Sequence, residues 1–401
     1  MVLGEMSTSY AFIFGRNPEL SRLELVAIAK RFGLTVGKMI EAEIMQVTSS
    51  EALSTQKLTE IQHYLGGTVR IAELLAESPQ RQGIVAAAAG VVTSQMREEG
   101  KLLVGISTWA ENGRPYPAFR ISKELKPLLT KQGRSVRMVT PNAPRFHLDA
   151  PQIIHNKLVE KGVDLVCIWT ANKWLVGVTR TVQDIADYTK RDFGIPKPNA
   201  VSGMLPPKLA QTMINLAVGS REDVAIYDPF CGNGRVLLEG ALLNLQVYGS
   251  DIAQKQVEDS LENLEWLRKV YGQATRDEQV WVADATKGPG KTIPEKFMIV
   301  SEPFLGKPLR SPLKKDQKEA WVTELAEMYL SFFTYWASAP QKPEGMLVVF
   351  PKAMMVDGGS VSLHAHLVDR LAKIGYIAKV LFSYSRPDSL VHRDLVQITV
   401  R

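Results

Sequence analysis

The chain has 401 residues, 45% hydrophobic and 22% charged, with two cysteines and a net charge of +6. That length predicts more than one core, and the composition is that of a globular protein. Cys167 and Cys231 are too few for a disulfide framework, no run of roughly 18 apolar residues marks a membrane span, and the start lacks the basic-then-apolar layout of a secretory leader; together these point to the cytoplasm.

Residues 1–75 predict a small α+β unit, with SYAFIFG as a strand and LSRLELVAIAKRFG as a helix. Residues 76–185 predict a second small α/β domain. Its strands are LLVGIST, SVRMV, DLVCIWT and KWLVGVT, and its helices AFRISKELKPLLTKQG and DAPQIIHNKLVEKG. The stretch 81–200 holds 18 basic and 10 acidic side chains, a net +8, whereas 1–80 stands at −2 and 201–401 at zero. A localised basic surface on a neutral protein is the footprint of a phosphate-backbone binder. Residues 186–202, ADYTKRDFGIPKPNAVS, carry two prolines and little periodicity and predict a linker.

From 203 to 401 short apolar runs alternate with helical periodicity. VAIYDPF, QVYGSDI, QVWVADA, FMIVSEP and GMLVVFP predict parallel strands with helices on both faces. YIAKVLFSYSR and LVQITV leave no room for a crossover helix, so an antiparallel hairpin closes the sheet.

In YDPFCGNGRVLLEG a strand ends at Asp228, a loop follows, and a helix begins near Arg235. Gly232 and Gly234 let the backbone approach a ligand in conformations closed to side chains. The spacing is shorter than a G-x-G-x-x-G fingerprint, and an acid precedes the loop. That acid repels a pyrophosphate but suits a cationic amino-acid moiety, which favours S-adenosylmethionine over a dinucleotide. Asp251 ends the next strand, placed for ribose hydroxyls, and Asp284 ends the third, placed for the adenine amine. Each acid alone could be a helix cap. Phe230, Asn233, Ile252 and Ala285 complete the candidate cofactor set, and Cys231 is expected to be a packing residue.

The fourth strand ends in Ser301-Glu302-Pro303-Phe304. Amino-directed methyltransferases carry [Asp/Asn/Ser]-Pro-Pro-[aromatic] at this place. There a side-chain oxygen and a backbone carbonyl accept the two N–H bonds of a base's exocyclic amine, and the ring stacks on an unstacked base. In the favoured frame Ser301 takes the polar position, Glu302 and Pro303 the two prolines and Phe304 the ring. The alternative frame puts Glu302 on the acid.

GMLPPKLAQTMINLA, DPFCGNGRVLLEG, VYGSDI and the fourth-strand motif together resemble the THUMP-domain RNA guanine-N2 methyltransferases, especially the tRNA guanosine-10 group. GISTW, LVEKGVDLV and VGVTRTVQDIADYTKRD are similar to a THUMP domain running into its linker, and residues 1–75 to the ferredoxin-like module that precedes it. The resemblance implies a class I, Rossmann-like methyltransferase domain with a seven-stranded sheet ending in the hairpin. Asp228, Gly232, Gly234, Asp251 and Asp284 would line the S-adenosylmethionine pocket, Ser301 to Phe304 would face the target base, and no metal would take part. The THUMP domain would grip tRNA through cations such as Lys123, Lys126, Lys131, Arg134, Arg137 and Arg145. A monomer is expected. Glu302 departs from the family's usual Asp-Pro-Pro-Tyr. It leaves open a tRNA-binding protein of the same fold with lost catalysis, and the amino-directed motif leaves open a DNA methyltransferase. HAH (364–366) lacks acidic or Cys neighbours and predicts no metal site, and SYSRPDSLVHRDL predicts a polar hairpin loop.

Overall fold

The computed structural model describes residues 7–95, 100–198, 204–272, 279–387 and 389–401. Gly203 and part of the expected linker lie outside them. The chain divides into two units, residues 1–186 and 187–401.

The first unit contains β1 (Thr8–Phe14), α1 (Pro18–Ile28), β2 (Leu34–Glu41), β3 (Ile44–Ser49), α2 (Thr55–Tyr64) and β4 (Thr68–Ser78). It continues through α3 (Ile84–Gln95), β5 (Leu102–Ala110), α4 (Ala118–Thr130), β6 (Val136–Val139), α5 (Ala150–His155), α6 (Leu158–Lys161), β7 (Val163–Trp169) and β8 (Trp174–Val182). These strands make one sheet in the order β2-β3-β1-β4-β8-β7-β5-β6. The boundary expected at 75/76 therefore falls inside β4, which pairs with β1 on one side and β8 on the other. One core cluster joins Ala11, Ile13 and Ala72 to Trp109, Val166 and Leu175, so burial continues across that point. The helix expected over DAPQIIHNKLVEKG is two short helices, broken where Lys157 takes a left-handed conformation (φ 52°).

The second unit contains α7 (Ile185–Phe193, which begins at the boundary), α8 (Pro207–Val218), β9 (Ala225–Asp228), α9 (Arg235–Leu242), β10 (Val247–Asp251) and α10 (Gln254–Tyr271). Then follow β11 (Gln279–Val282), β12 (Phe297–Ser301), α11 (Lys318–Ser338), β13 (Gly345–Met354), β14 (Ser360–Ser362), α12 (Leu363–Lys373), β15 (Tyr376–Tyr384) and β16 (Val391–Val400). The sheet order is β11-β10-β9-β12-β13-β16-β15, with β14 added on β13. The first five strands run parallel, and β16 is antiparallel to both β13 and β15, so the closing hairpin forms as its sequence predicts. Every residue of β9 and of β12 is buried, as strands covered on both faces require. Aromatic side chains of α11 (Trp321, Tyr329, Phe332, Phe333, Trp336) pack beneath them with Tyr227 and Phe297.

The chain order reverses between β9 and β12, and open α/β sheets bind ligands at the carboxyl ends of the strands flanking such a reversal. The first eight residues of the expected linker are not extended, because 185–193 form α7. Arg191 of α7 ion-pairs with buried Glu239 on α9 and with Asp187, the latter at 3.0 Å. Tyr271 donates to Asp187 (2.6 Å) and Arg235 to the Arg191 carbonyl (2.7 Å). Among the described residues no helix is long and apolar enough to cross a membrane.

Candidate active site

Asp228 ends β9 as a buried carboxylate. Its Oδ1 accepts from Ser301 Oγ (2.6 Å) on β12 and from the Phe230 amide (3.1 Å). Burial pushes its carboxyl up to about 7, against the pull of these two donors. The loop beyond it turns on two left-handed glycines, Gly232 (φ 51°) and Gly234 (φ 86°). A Cβ on Gly234 would stand 2.4 Å from Ser260 Oγ of α10, so this position requires glycine by conformation and by space. At Gly232 the nearest atom to an added Cβ is Gln256 Oε1, 3.8 Å away, a buried acceptor with no hydrogen-bond partner among the described residues.

Asp251 at the end of β10 braces this loop. Its Oδ2 accepts from the Gly232 amide and its Oδ1 from the Ala253 amide, both at 3.0 Å. Ile252 beside it is 71% exposed, an apolar side chain at the loop's edge. Asn233 is buried and donates to the Lys197 carbonyl (2.9 Å). Asn263 of α10 donates to the Asn233 carbonyl (2.8 Å) and accepts from the Lys197 amide (2.9 Å). The glycine loop is thereby tied to the segment before α8. Asn263 escaped the sequence reading because its role depends on partners 30 and 66 residues away.

Asp284 lies two residues past the end of β11, not at the strand end expected for it, and caps a short 3-10 turn. It accepts from the Thr286 amide (3.0 Å) and hydroxyl (2.7 Å) and pairs with Lys287 (3.0 Å). The Thr286 bonds and Lys287 hold its carboxyl below the usual range. Ala285 is buried, and the Phe230 ring packs edge-on against Phe332 at 5.4 Å. Cys231 is a packing residue: its thiol is buried, pushed well above its ordinary pKa, and a Cβ on Gly249 would stand 3.0 Å from its own.

The four fourth-strand residues differ sharply in their surroundings. Ser301 has no exposed surface and gives its hydroxyl proton to Asp228, so it faces that buried acid rather than open space. Glu302 is partly exposed, and its Oε1 accepts from Arg393 Nε of β16 at 2.5 Å. Pro303 is buried, whereas Phe304 is 47% exposed. Tyr329 of α11 braces the segment from below, donating to the Val349 carbonyl (3.0 Å) and reaching the Phe304 carbonyl (3.5 Å). Arg393 belongs to β16 and not to a hairpin loop: β15 ends at Tyr384 and β16 begins at Val391, so the polar turn is shorter than expected, and its Asp388 lies outside the described residues.

The basic candidates of the first unit do not form one cluster. Lys123 and Lys126 on α4 and Arg137 on β6 line a groove of about 500 Å³ together with Lys101, which the sequence reading did not select. Lys131 caps the end of α4, and Arg134 donates to the Gly100 carbonyl at 2.7 Å. Arg145 pairs with Asp149 at 2.9 Å. His364 of HAH meets the Ala378 carbonyl at 3.1 Å through Nε2, and the described residues contain no group of three His, Cys, Asp or Glu placed to hold a metal.

Residues 197–288 match the family model described as "RMKL-like, methyltransferase domain". The tRNA (guanine(10)-N2)-dimethyltransferase of Pyrococcus abyssi (strain GE5 / Orsay) is 40% identical over 129 residues, 31% of this chain and 35% of that protein. The protein of the same name from Methanothermobacter thermautotrophicus is 35% identical over 109 residues, 26% of this chain and 32% of that one. The matched stretch thus spans about a third of the length of these curated relatives. The crystal structure of TrmN from Thermus thermophilus superposes with a TM-score of 0.54 at 17% identity, covering 98% of this chain and 99% of that one. The second unit has the α/β methyltransferase fold.

Proposed function

We propose that this protein is an S-adenosylmethionine-dependent tRNA methyltransferase that transfers a methyl group to the exocyclic N2 amine of a guanosine. The observation that carries the reading is the glycine loop braced between Asp228 and Asp251 at the chain reversal, with Phe304 exposed at the adjoining strand end. The matched relatives are named for guanine-10 N2 chemistry in tRNA, which supports base, atom and RNA class.

The residues suit the cofactor on their own chemistry. Gln256 Oε1 beside Gly232, without a hydrogen-bond partner among the described residues, is an acceptor open to a donor. Asp228 is a buried carboxylate poised to ionise against a cationic group. Asp251 would accept from the ribose hydroxyls, with Ile252 beside it, and Asp284 from the adenine amine. When bound, S-adenosylmethionine would supply an electrophilic methyl group for the N2 amine. Ser301 fixes the orientation of Asp228. Phe304 stacks on the target base, which must leave its helix to reach the site. Residues 76–185 act as a THUMP-type RNA-binding region carried on the same sheet as the ferredoxin-like residues 1–75. The Lys101–Lys123–Lys126–Arg137 groove holds phosphates there. The protein works as a cytoplasmic monomer.

Incubation with methyl-labelled S-adenosylmethionine and total tRNA, followed by nucleoside analysis, tests the reading. Labelled N2-methylguanosine or N2,N2-dimethylguanosine is expected. Label in duplex DNA but not in tRNA would overturn the substrate, and cofactor binding without transfer to any nucleic acid would overturn catalysis.

A further inference from the structure

Glu302 lies just past the carboxyl end of β12, in the segment whose sequence resembles an amino-directed motif, and its geometry is not that of a surface carboxylate. It directly follows fully buried Ser301 and lies two residues before exposed Phe304. Its Oε1 is held by Arg393 Nε at 2.5 Å, and Arg393 is itself buried in β16, so the carboxylate is fixed in direction. Its Oε2 makes no hydrogen bond among the described residues. The negative charge is felt by Asp228 and by Tyr329, which places the carboxylate close to the cofactor-side acid and the phenol beneath the motif. With Ser301 turned inward to Asp228, Glu302 is the partly exposed acceptor at this strand end.

We infer that Glu302 is a specificity-determining residue that recognises guanine by accepting the N1–H proton through Oε2, with Arg393 as its positioning residue. This rests on the proposed guanine-N2 transfer. Guanine presents N1–H and N2–H donors side by side on its Watson–Crick edge. An anionic acceptor binds such donors more strongly than a neutral one. Adenine and 2-aminopurine carry an acceptor at N1 and would meet the carboxylate lone pair to lone pair. Phe304 supplies the stacking surface, which every base shares, so the carboxylate carries the choice between them.

The test uses a tRNA transcript in which the methylated guanosine, first mapped with wild-type enzyme, is replaced by 2-aminopurine riboside. That base keeps the 2-amine and exchanges the N1 donor for an acceptor. Wild-type enzyme is expected to favour guanosine by about 100-fold or more in kcat/KM, because its acceptor is left facing a lone pair on the analogue. Glu302→Gln, whose amide can donate to that nitrogen, is expected to lose at least about tenfold on guanosine and to narrow the preference by at least about tenfold. Its affinity for S-adenosylmethionine, measured by calorimetry at pH 8.5 where affinity no longer depends on pH, stays unchanged. Glu302→Asp, which keeps the carboxylate, retains the preference at reduced rate. Equal losses on both substrates in Glu302→Gln would reduce Glu302 to a structural partner of Arg393 and overturn the inference. Should Glu302→Gln fail to fold, equal rates of the wild-type enzyme on guanosine and 2-aminopurine would overturn it without any variant. Absence of methylated guanosine from every tRNA tested would instead strike the reading on which it rests.

Discussion

Asp228 concentrates the chemistry that sequence could suggest but not weigh. Its carboxyl is pushed up to about 7 by burial, from an ordinary 3.8. A cationic ligand group binds the ionised form, so binding must expel a proton below that pH. Cofactor affinity is therefore expected to rise with pH up to about 7, by about tenfold per unit well below it, and to level off above. Calorimetry across pH 5.5–8.5 measures this, and Asp228→Asn should bind weakly with a flat profile; a flat profile in the wild type would contradict it. The same shift has a stability consequence of fixed sign. The folded pKa lies above the unfolded one, so this carboxyl's contribution to ligand-free stability is full below about pH 4 and declines as pH rises through 7. Ser301→Ala removes the 2.6 Å bond to that acid. A buried hydrogen bond to a charged group is worth about 1.5–3 kcal/mol, so turnover is expected to drop by at least about tenfold with cofactor affinity falling in parallel. Unchanged kinetics would remove Ser301 from the site. The three acids were legible because each closes a strand-like run. The inward turn of Ser301 and the Arg393 partner of Glu302 were not, because these contacts join residues 73 and 91 positions apart.

At the scale of elements, the glycine loop and α7 set the geometry. Gly234→Ala meets a left-handed φ of 86° and a Ser260 oxygen 2.4 Å from the new carbon. The conformation alone costs about 1–2 kcal/mol, so a melting temperature lower by several degrees and loss of cofactor binding are expected. Retention of full affinity would show that the loop does not cradle the ligand. Arg191→Ala leaves Glu239 buried without its ion-pair partner, a change that costs about 3–5 kcal/mol. Urea unfolding should show that loss, and Arg191→Met with Glu239→Leu should recover most of it. The alternation of strands and helices in 203–401 was readable because each buried strand is a short, unbroken apolar run. The first unit was harder. β2 and β4 mix exposed and buried positions and β3 mixes half-buried and buried ones, so β4 gave no sign of pairing on both edges and joining two expected modules into one sheet.

The molecule as a whole separates its charge from its chemistry. The net +8 of residues 81–200 is partly gathered into the groove lined by Lys101, Lys123, Lys126 and Arg137, while the methyltransferase unit is near neutral. If that groove holds phosphates, log affinity for tRNA must fall linearly with log salt. Lys123→Glu, Lys126→Glu and Arg137→Glu together are expected to weaken tRNA binding by at least about tenfold and to reduce the slope by about two to three. S-adenosylmethionine binding, measured alongside, should not change. The most direct measurement of the central claim is nucleoside mass spectrometry of tRNA incubated with this protein and isotopically labelled S-adenosylmethionine. The account predicts label on N2 of guanosine, lost in Asp228→Asn; label on any other atom or base, or none at all, would contradict it.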